Sequence, residues 1–100
     1  MNDIISIVTI NYNNLNGLIN TVNSVFNQSN NNFQYVIIDG NSTDGSKEFL
    51  QSLFHDNIKI ISESDSGIYN AFNKGIQNSS GQYILFLNSG DVLYDSNSIA

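Results

Sequence analysis

Ile4-Ile5-Ser6-Ile7-Val8-Thr9-Ile10 is a nearly continuous apolar run, broken only by Ser6 and Thr9. A run of this length without a polar face suits a strand covered on both sides, as in a parallel sheet. Polar residues Asn11 to Asn14 end it. Leu15, Leu18, Ile19, Val22, Val25 and Phe26 then fall at helical spacing and predict one apolar stripe along a helix.

The same alternation continues downstream. Phe33 to Ile38 reads as a second strand, and Phe49, Leu50, Leu53 and Phe54 as a short helical face. Ile58, Ile60 and Ile61 form a third strand; Ile68, Tyr69, Phe72 and Ile76 mark a third helix with Gly75 near its end. After the Ser79-Ser80-Gly81 turn, Tyr83 to Leu87 is a fourth strand. The order βαβαβαβ predicts an α/β fold, a mostly parallel sheet flanked by helices, with right-handed crossovers. No proline, internal repeat or linker interrupts the pattern, so residues 1–100 read as one compact unit.

Composition narrows the function. Nine acids against three bases give a net charge of −6, which carries no electrostatic footprint for nucleic acid or an anionic membrane surface. Cysteine is absent, which excludes disulfides, thiolate metal sites and a cysteine nucleophile. The single histidine, His55, stands alone in a loop region, and a zinc site or a Ser-His-Asp triad cannot be assembled around it. Met1-Asn2-Asp3 lacks the basic start and apolar core of a signal peptide, and no apolar stretch approaches the ~20 residues of a membrane span. The expected compartment is the cytoplasm.

In an open α/β sheet, ligands bind beyond the carboxyl ends of the strands. Here those ends collect Asp39, Asp44, Glu63, Asp65 and Asp91, five of the nine acids. Like charges gathered together cost stability unless a cation relieves them, and a divalent metal shared with substrate phosphates would do so. The loop from Asp39 to Gly45 is not a calcium loop, since Asp44 stands where that loop needs glycine and Leu50 where it needs glutamate. There is no Gly-rich phosphate loop with lysine and no G-x-G-x-x-G after the first strand. A solvated acidic rim is the plain alternative.

Four motifs in order resemble family 2 glycosyltransferases of the GT-A fold, in their N-terminal nucleotide-sugar-binding portion. Ile5-Ser6-Ile7-Val8-Thr9-Ile10-Asn11-Tyr12-Asn13 looks like the opening strand. Val36-Ile37-Ile38-Asp39-Gly40-Asn41-Ser42-Thr43-Asp44-Gly45-Ser46 is similar to the second-strand signature. Ser62 to Ile76 resembles a segment of a subgroup that makes bacterial surface polysaccharides. Gly81 to Asp91 resembles the strand that carries the DXD-type motif. Together they cover almost the whole chain.

The resemblance implies transfer of a sugar from a nucleoside-diphosphate donor, a UDP-sugar, to a glycan or lipid-linked acceptor, assisted by Mg²⁺ or Mn²⁺. It implies that Thr9 and Tyr12 line the base and ribose pocket. Asp39 would accept a hydrogen bond from the base and remain ionised by facing solvent. Asp65, Asn73, Lys74 and Asn88 would belong to the nucleotide site, and Asp91 would be the metal ligand. Asp44 is expected to cap a helix instead.

Two departures qualify this. Asn88 and Gly90 stand where many relatives carry carboxylates, which leaves Asp91 as the motif's one acid. The family also continues into an acceptor-binding half that holds the general base, whereas this chain stops nine residues after Asp91. The expectation is a fragment that binds nucleotide-sugar weakly and transfers nothing alone. Its open sheet edge would favour self-association, and the full-length protein would sit in the cytoplasm or at the inner membrane face. An inactive nucleotide-binding or interaction domain with the same fold is the alternative. A phosphoacceptor receiver domain is disfavoured, since Asn11 and Asn13 stand where it needs adjacent acids.

Overall fold

The computed structural model describes residues 5–28, 33–53, 58–64, 68–79 and 83–91. Among the described residues seven elements follow one another: β1 (Ile5–Asn11), α1 (Leu15–Phe26), β2 (Phe33–Asp39), α2 (Ser46–Gln51), β3 (Ile58–Ser62), α3 (Ile68–Gln77) and β4 (Tyr83–Phe86). The strands form one four-stranded sheet in the order β3-β2-β1-β4, and every pairing is parallel. The predicted class and element order are those observed.

Alternation along each strand divides the core into two layers. Ile7, Tyr35 and Ile37 face α1 and α2, packing with Leu18, Val22, Val25 and Leu50. Val8, Val36 and Ile38 point the other way, toward Ala71 of α3. Because both faces are covered, β1 and β2 need apolar residues at successive positions, which is why their sequences read as runs. The helices seal the layers with edge-to-face ring pairs: Phe26 meets Tyr35 at 6.1 Å, and Phe72 meets Phe86 at 4.8 Å. Gly75 lets α3 lie close on β1, since a Cβ there would stand 2.6 Å from Val8 Cγ1.

The helix prediction for the second crossover needs one correction. The apolar face placed it from Phe49, but α2 begins at Ser46, where the Asp44 carboxylate accepts hydrogen bonds from the Ser46 amide and hydroxyl. A polar cap, invisible to apolar periodicity, sets the start. Phe54 lies outside the described residues.

The chain runs outward through β1, β2 and β3, then crosses beneath on α3 and returns to the far side of β1 as β4. The direction of winding therefore reverses between β1 and β4. In open α/β sheets that reversal opens a crevice at the carboxyl ends, and the polar loops gather there.

Candidate functional site

Beyond the sheet, backbone bonds such as Gly40 N to Asn11 O and Glu63 N to Asp39 O continue the ladder, and side chains add a second set of ties. Asn11, Asp39 and Ser62 are register partners on β1, β2 and β3. Asn11 Nδ2 donates to Asp39 Oδ1 at 2.8 Å and lies 3.4 Å from Ser42 Oγ. Its Oδ1 accepts from Ser89 Oγ at 2.7 Å, so one buried amide joins the loops after β1, β2 and β4.

Asp39 departs from the expectation that it faces solvent: it is 0% exposed. Its Oδ1 accepts from Asn11 Nδ2 and Ser42 Oγ, and its Oδ2 accepts from the Ser42 amide and Ser62 Oγ. A carboxylate offers about four acceptor positions, and the protein fills them. Burial pushes this carboxyl up, but the hydrogen bonds from Ser42, Asn11 and Ser62 outweigh it and leave the pKa below the ordinary value. Asp39 stays ionised through its partners, not through water.

The next turn repeats the device. Asn13, at φ 48°, accepts from the Thr43 amide at 2.8 Å, and its own amide donates to Ser42 Oγ at 2.9 Å. Asp44 Oδ2 accepts from the Leu15 amide at 2.9 Å, so this exposed carboxylate caps α1 as well as α2. The Ser46 hydroxyl is the chief cause of its lowered pKa. The capping role expected of Asp44 is the one observed, extended to a second helix.

On the other side of β1, Asn88 to Asp91 form a tight turn. Asp91 Oδ2 accepts from the Asn88 amide at 3.0 Å, and the Asp91 amide donates to Asn88 O at 2.9 Å. Asn14, the N-cap of α1, reaches across to donate to Ser89 O at 3.2 Å. Gly90 sits at φ 103°, a conformation that side chains rarely adopt. The glycine at this position thus has a backbone reason.

Asn88 Oδ1 is buried and has no hydrogen-bond partner among the described residues. Buried polar atoms are normally satisfied, and this oxygen belongs to the same turn as the exposed Asp91 carboxylate. No group of three His, Cys, Asp or Glu able to hold a metal occurs among the described residues. The Asp91 carboxylate and Asn88 Oδ1 are both oxygen donors, a sparse set of the kind that Mg²⁺ or Mn²⁺ would complete with water and phosphate oxygens.

The remaining expected site residues are dispersed. Tyr12 stands at the mouth of the crevice with 67% of its surface exposed. Thr9 is fully buried in the layer under the helices, where its hydroxyl shares a 2.7 Å hydrogen bond with the Tyr35 hydroxyl. Burial pushes the Tyr35 phenol far up, against the pull of Thr9, and it remains neutral. Lys74 is drawn to the end of β3, with Nζ 3.0 Å from Glu63 Oε1 and 3.0 Å from Ser64 O. Asn73 is exposed on α3, and Asp65 lies outside the described residues. Sequence reasoning missed Asn11, Asn14, Ser42 and Thr21. Thr21 carried a readable signal: a hydroxyl among Leu18, Val22 and Val25 on the buried face of α1.

Comparison with known proteins fits this geometry. The family model described as glycosyl transferase family 2 matches residues 6–99. An uncharacterized glycosyltransferase of Rickettsia bellii is 34% identical over 90% of this chain and 13% of its own length. TuaG of Bacillus subtilis, whose name assigns it to teichuronic acid biosynthesis, is 34% identical over 88% of this chain and 36% of its own. The chain thus spans about a third or less of these relatives. Among solved structures, the mannosyltransferase PcManGT from Pyrobaculum calidifontis, in complex with GDP-Man and Mn²⁺, has a TM-score of 0.84. It is 14% identical, over 96% of this chain and 30% of its own. S. aureus TarS 1-349 in complex with UDP-GlcNAc has a TM-score of 0.76 at 22% identity, over 86% and 26%. These likenesses establish the GT-A fold, and with the family match they settle the assignment: the chain belongs to glycosyl transferase family 2.

Proposed function

We propose that the crevice between β1 and β4 is the donor site of a glycosyltransferase that moves a sugar from a UDP-sugar to a glycan or lipid-linked acceptor. The observation that carries this reading is the orphan Asn88 Oδ1 beside the Asp91 carboxylate, at the reversal point of the sheet. Relatives of the same fold bind UDP-GlcNAc, or GDP-Man with Mn²⁺, which supports a nucleotide-sugar and a divalent cation here.

In this reading Asp91 and Asn88 Oδ1 hold the cation. When bound, it offsets the charge of the diphosphate as a Lewis acid. Tyr12 offers its exposed ring to the base and ribose. Asp39, with its acceptor positions filled, orients the Asn41–Asp44 loop instead of reading the base directly. Thr9 supports the wall from behind through Tyr35. Lys74 and Asn73 lie on α3, and Lys74 would turn to phosphate only by leaving Glu63. Asp65 keeps the nucleotide role that the resemblance implies. In this reading the described residues supply donor binding, and none of them is assigned as the base that takes the acceptor proton.

The test is calorimetric titration of UDP into the chain with and without Mn²⁺, alongside Asp91→Ala. Binding that strengthens with Mn²⁺ and loses that gain in the variant supports the site. Equal binding with and without metal would overturn the metal role and favour an inactive nucleotide-binding domain.

A further inference from the structure

Thr21 lies in α1 directly beneath the turn that carries Asp91, and it is fully buried. A threonine hydroxyl has one proton to donate and lone pairs to accept. Here Oγ1 donates to Asp91 O at 2.6 Å, with Asn88 O a longer second acceptor at 3.3 Å. The same oxygen accepts from the Gly90 amide at 3.0 Å. All three contacts are to backbone of the turn, so one side chain grips it at both ends of the Gly90–Asp91 segment.

That grip matters because the turn is weakly held by local preference. Gly90, at φ 103°, has no side chain to restrict it, and glycine is the most conformationally permissive residue. Contacts from elsewhere add to its internal bonds: β1 holds Ser89 through Asn11 Oδ1 and Ile10 O, Asn14 Nδ2 reaches Ser89 O, and the α1 hydroxyl takes the Gly90–Asp91 segment. The Asp91 carboxylate hangs from the backbone that Thr21 fixes. An oxygen-only site with a single carboxylate tolerates little disorder in that carboxylate.

We infer that Thr21 is a positioning residue for Asp91: its hydroxyl ties the Asn88–Asp91 turn to α1 and sets the carboxylate for the cation. This rests on the donor-site reading above, and the hydroxyl itself touches neither cation nor nucleotide.

The test compares the full chain with Thr21→Val, Thr21→Ser, Thr21→Ala and Asp91→Ala. UDP is titrated with and without Mn²⁺, and exchange of the Gly90 amide is followed by NMR. Thr21→Val is expected to cut the Mn²⁺-dependent gain in UDP affinity about ten- to a hundred-fold, as loss of a partner behind a metal ligand does. Its metal-free UDP affinity should stay at the wild-type value while the Gly90 amide exchanges faster. Thr21→Ser keeps the hydroxyl and should restore both readouts. Thr21→Ala should show the same metal-specific loss if the valine variant folds poorly. A wild-type Mn²⁺ gain in Thr21→Val and Thr21→Ala would overturn the proposal, as would an equal fall in metal-free affinity, which marks a merely structural role. If Asp91→Ala changes nothing, the donor-site reading itself fails and Thr21 has nothing to position. If Asp91→Ala abolishes the gain and the Thr21 variants keep it, only the Thr21 proposal fails.

Discussion

Asn11 Nδ2 stands 2.8 Å from Asp39 Oδ1, buried, at the paired ends of two parallel strands. Twenty-eight residues separate them in sequence. The amide also accepts from Ser89, so β1 supplies the hinge on which the loops after β2 and β4 both hang.

Replacing Asn11 by alanine removes a donor from a buried carboxylate and leaves Ser89 Oγ without its acceptor. Hydrogen bonds to charged groups are worth about 1.5–3 kcal/mol, so Asn11→Ala should cost about 3 kcal/mol. Urea denaturation should show a lower midpoint with an unchanged slope, since the surface exposed on unfolding is the same.

Asp39 links stability to pH. Its pKa is lowered in the folded chain, so its stabilising contribution is present above the unfolded value, about 4. It is lost as pH falls below that value through the folded pKa, because the unfolded state then binds the proton more readily. Asp39→Asn should be less stable than wild type at pH 7, where its amide would face the donors of Asn11 and Ser42. The gap between the two should narrow on acidification, as read by thermal melts across pH 2 to 7.

Gly75 gives a prediction that runs against helix propensity. Alanine favours helix over glycine by about 1 kcal/mol. Yet a Cβ at Gly75 would meet Val8 Cγ1 at 2.6 Å, on a β-branched side chain that cannot swing aside. Gly75→Ala should therefore destabilise by about 1–3 kcal/mol, the range for overpacked cores. Adding Val8→Ala should recover part of that loss, a coupling that a double-mutant cycle would measure.

Tyr12 separates binding from folding. Exposed at the crevice mouth, it should change stability by no more than about 0.5 kcal/mol on conversion to alanine. Loss of a ring stacked on a base costs about 1–3 kcal/mol, so UDP affinity should fall roughly tenfold or more. The Mn²⁺ dependence should be unchanged, in contrast with Asp91→Ala.

The fold was legible because two-sided burial leaves a mark at successive positions. Val36, Ile37 and Ile38 are apolar in succession since Ile37 meets the α1–α2 layer and its two neighbours meet the α3 layer. The acids at the strand ends were legible for the same reason: Asp39 and Asp91 follow runs that stop abruptly. What those acids do was not legible. Whether Asp39 meets solvent depends on Asn11, Ser42 and Ser62, three neutral residues whose convergence exists only once the register is set. The partners of Thr21 and Asn14 were hidden likewise, about 70 residues away in the chain, although a hydroxyl on the apolar face of α1 marked Thr21 itself. Local pattern reports burial, whereas polar partnership is a property of the assembled sheet.

The Asn11–Ser89 bond also bears on how the molecule comes together. Its ends are 78 residues apart, and β4 can add to β1 only after the intervening units have brought them near. Closing so large a loop is entropically costly, and non-local pairings of this kind slow folding. Among the described strand pairs, β1 with β4 spans the longest stretch of chain, and it is the pair that brings the two sides of the Asn11–Ser89 junction together. A ligand held between residue 11 and residue 91 would recognise only chains in which β4 has joined β1, and its binding would draw the population toward them.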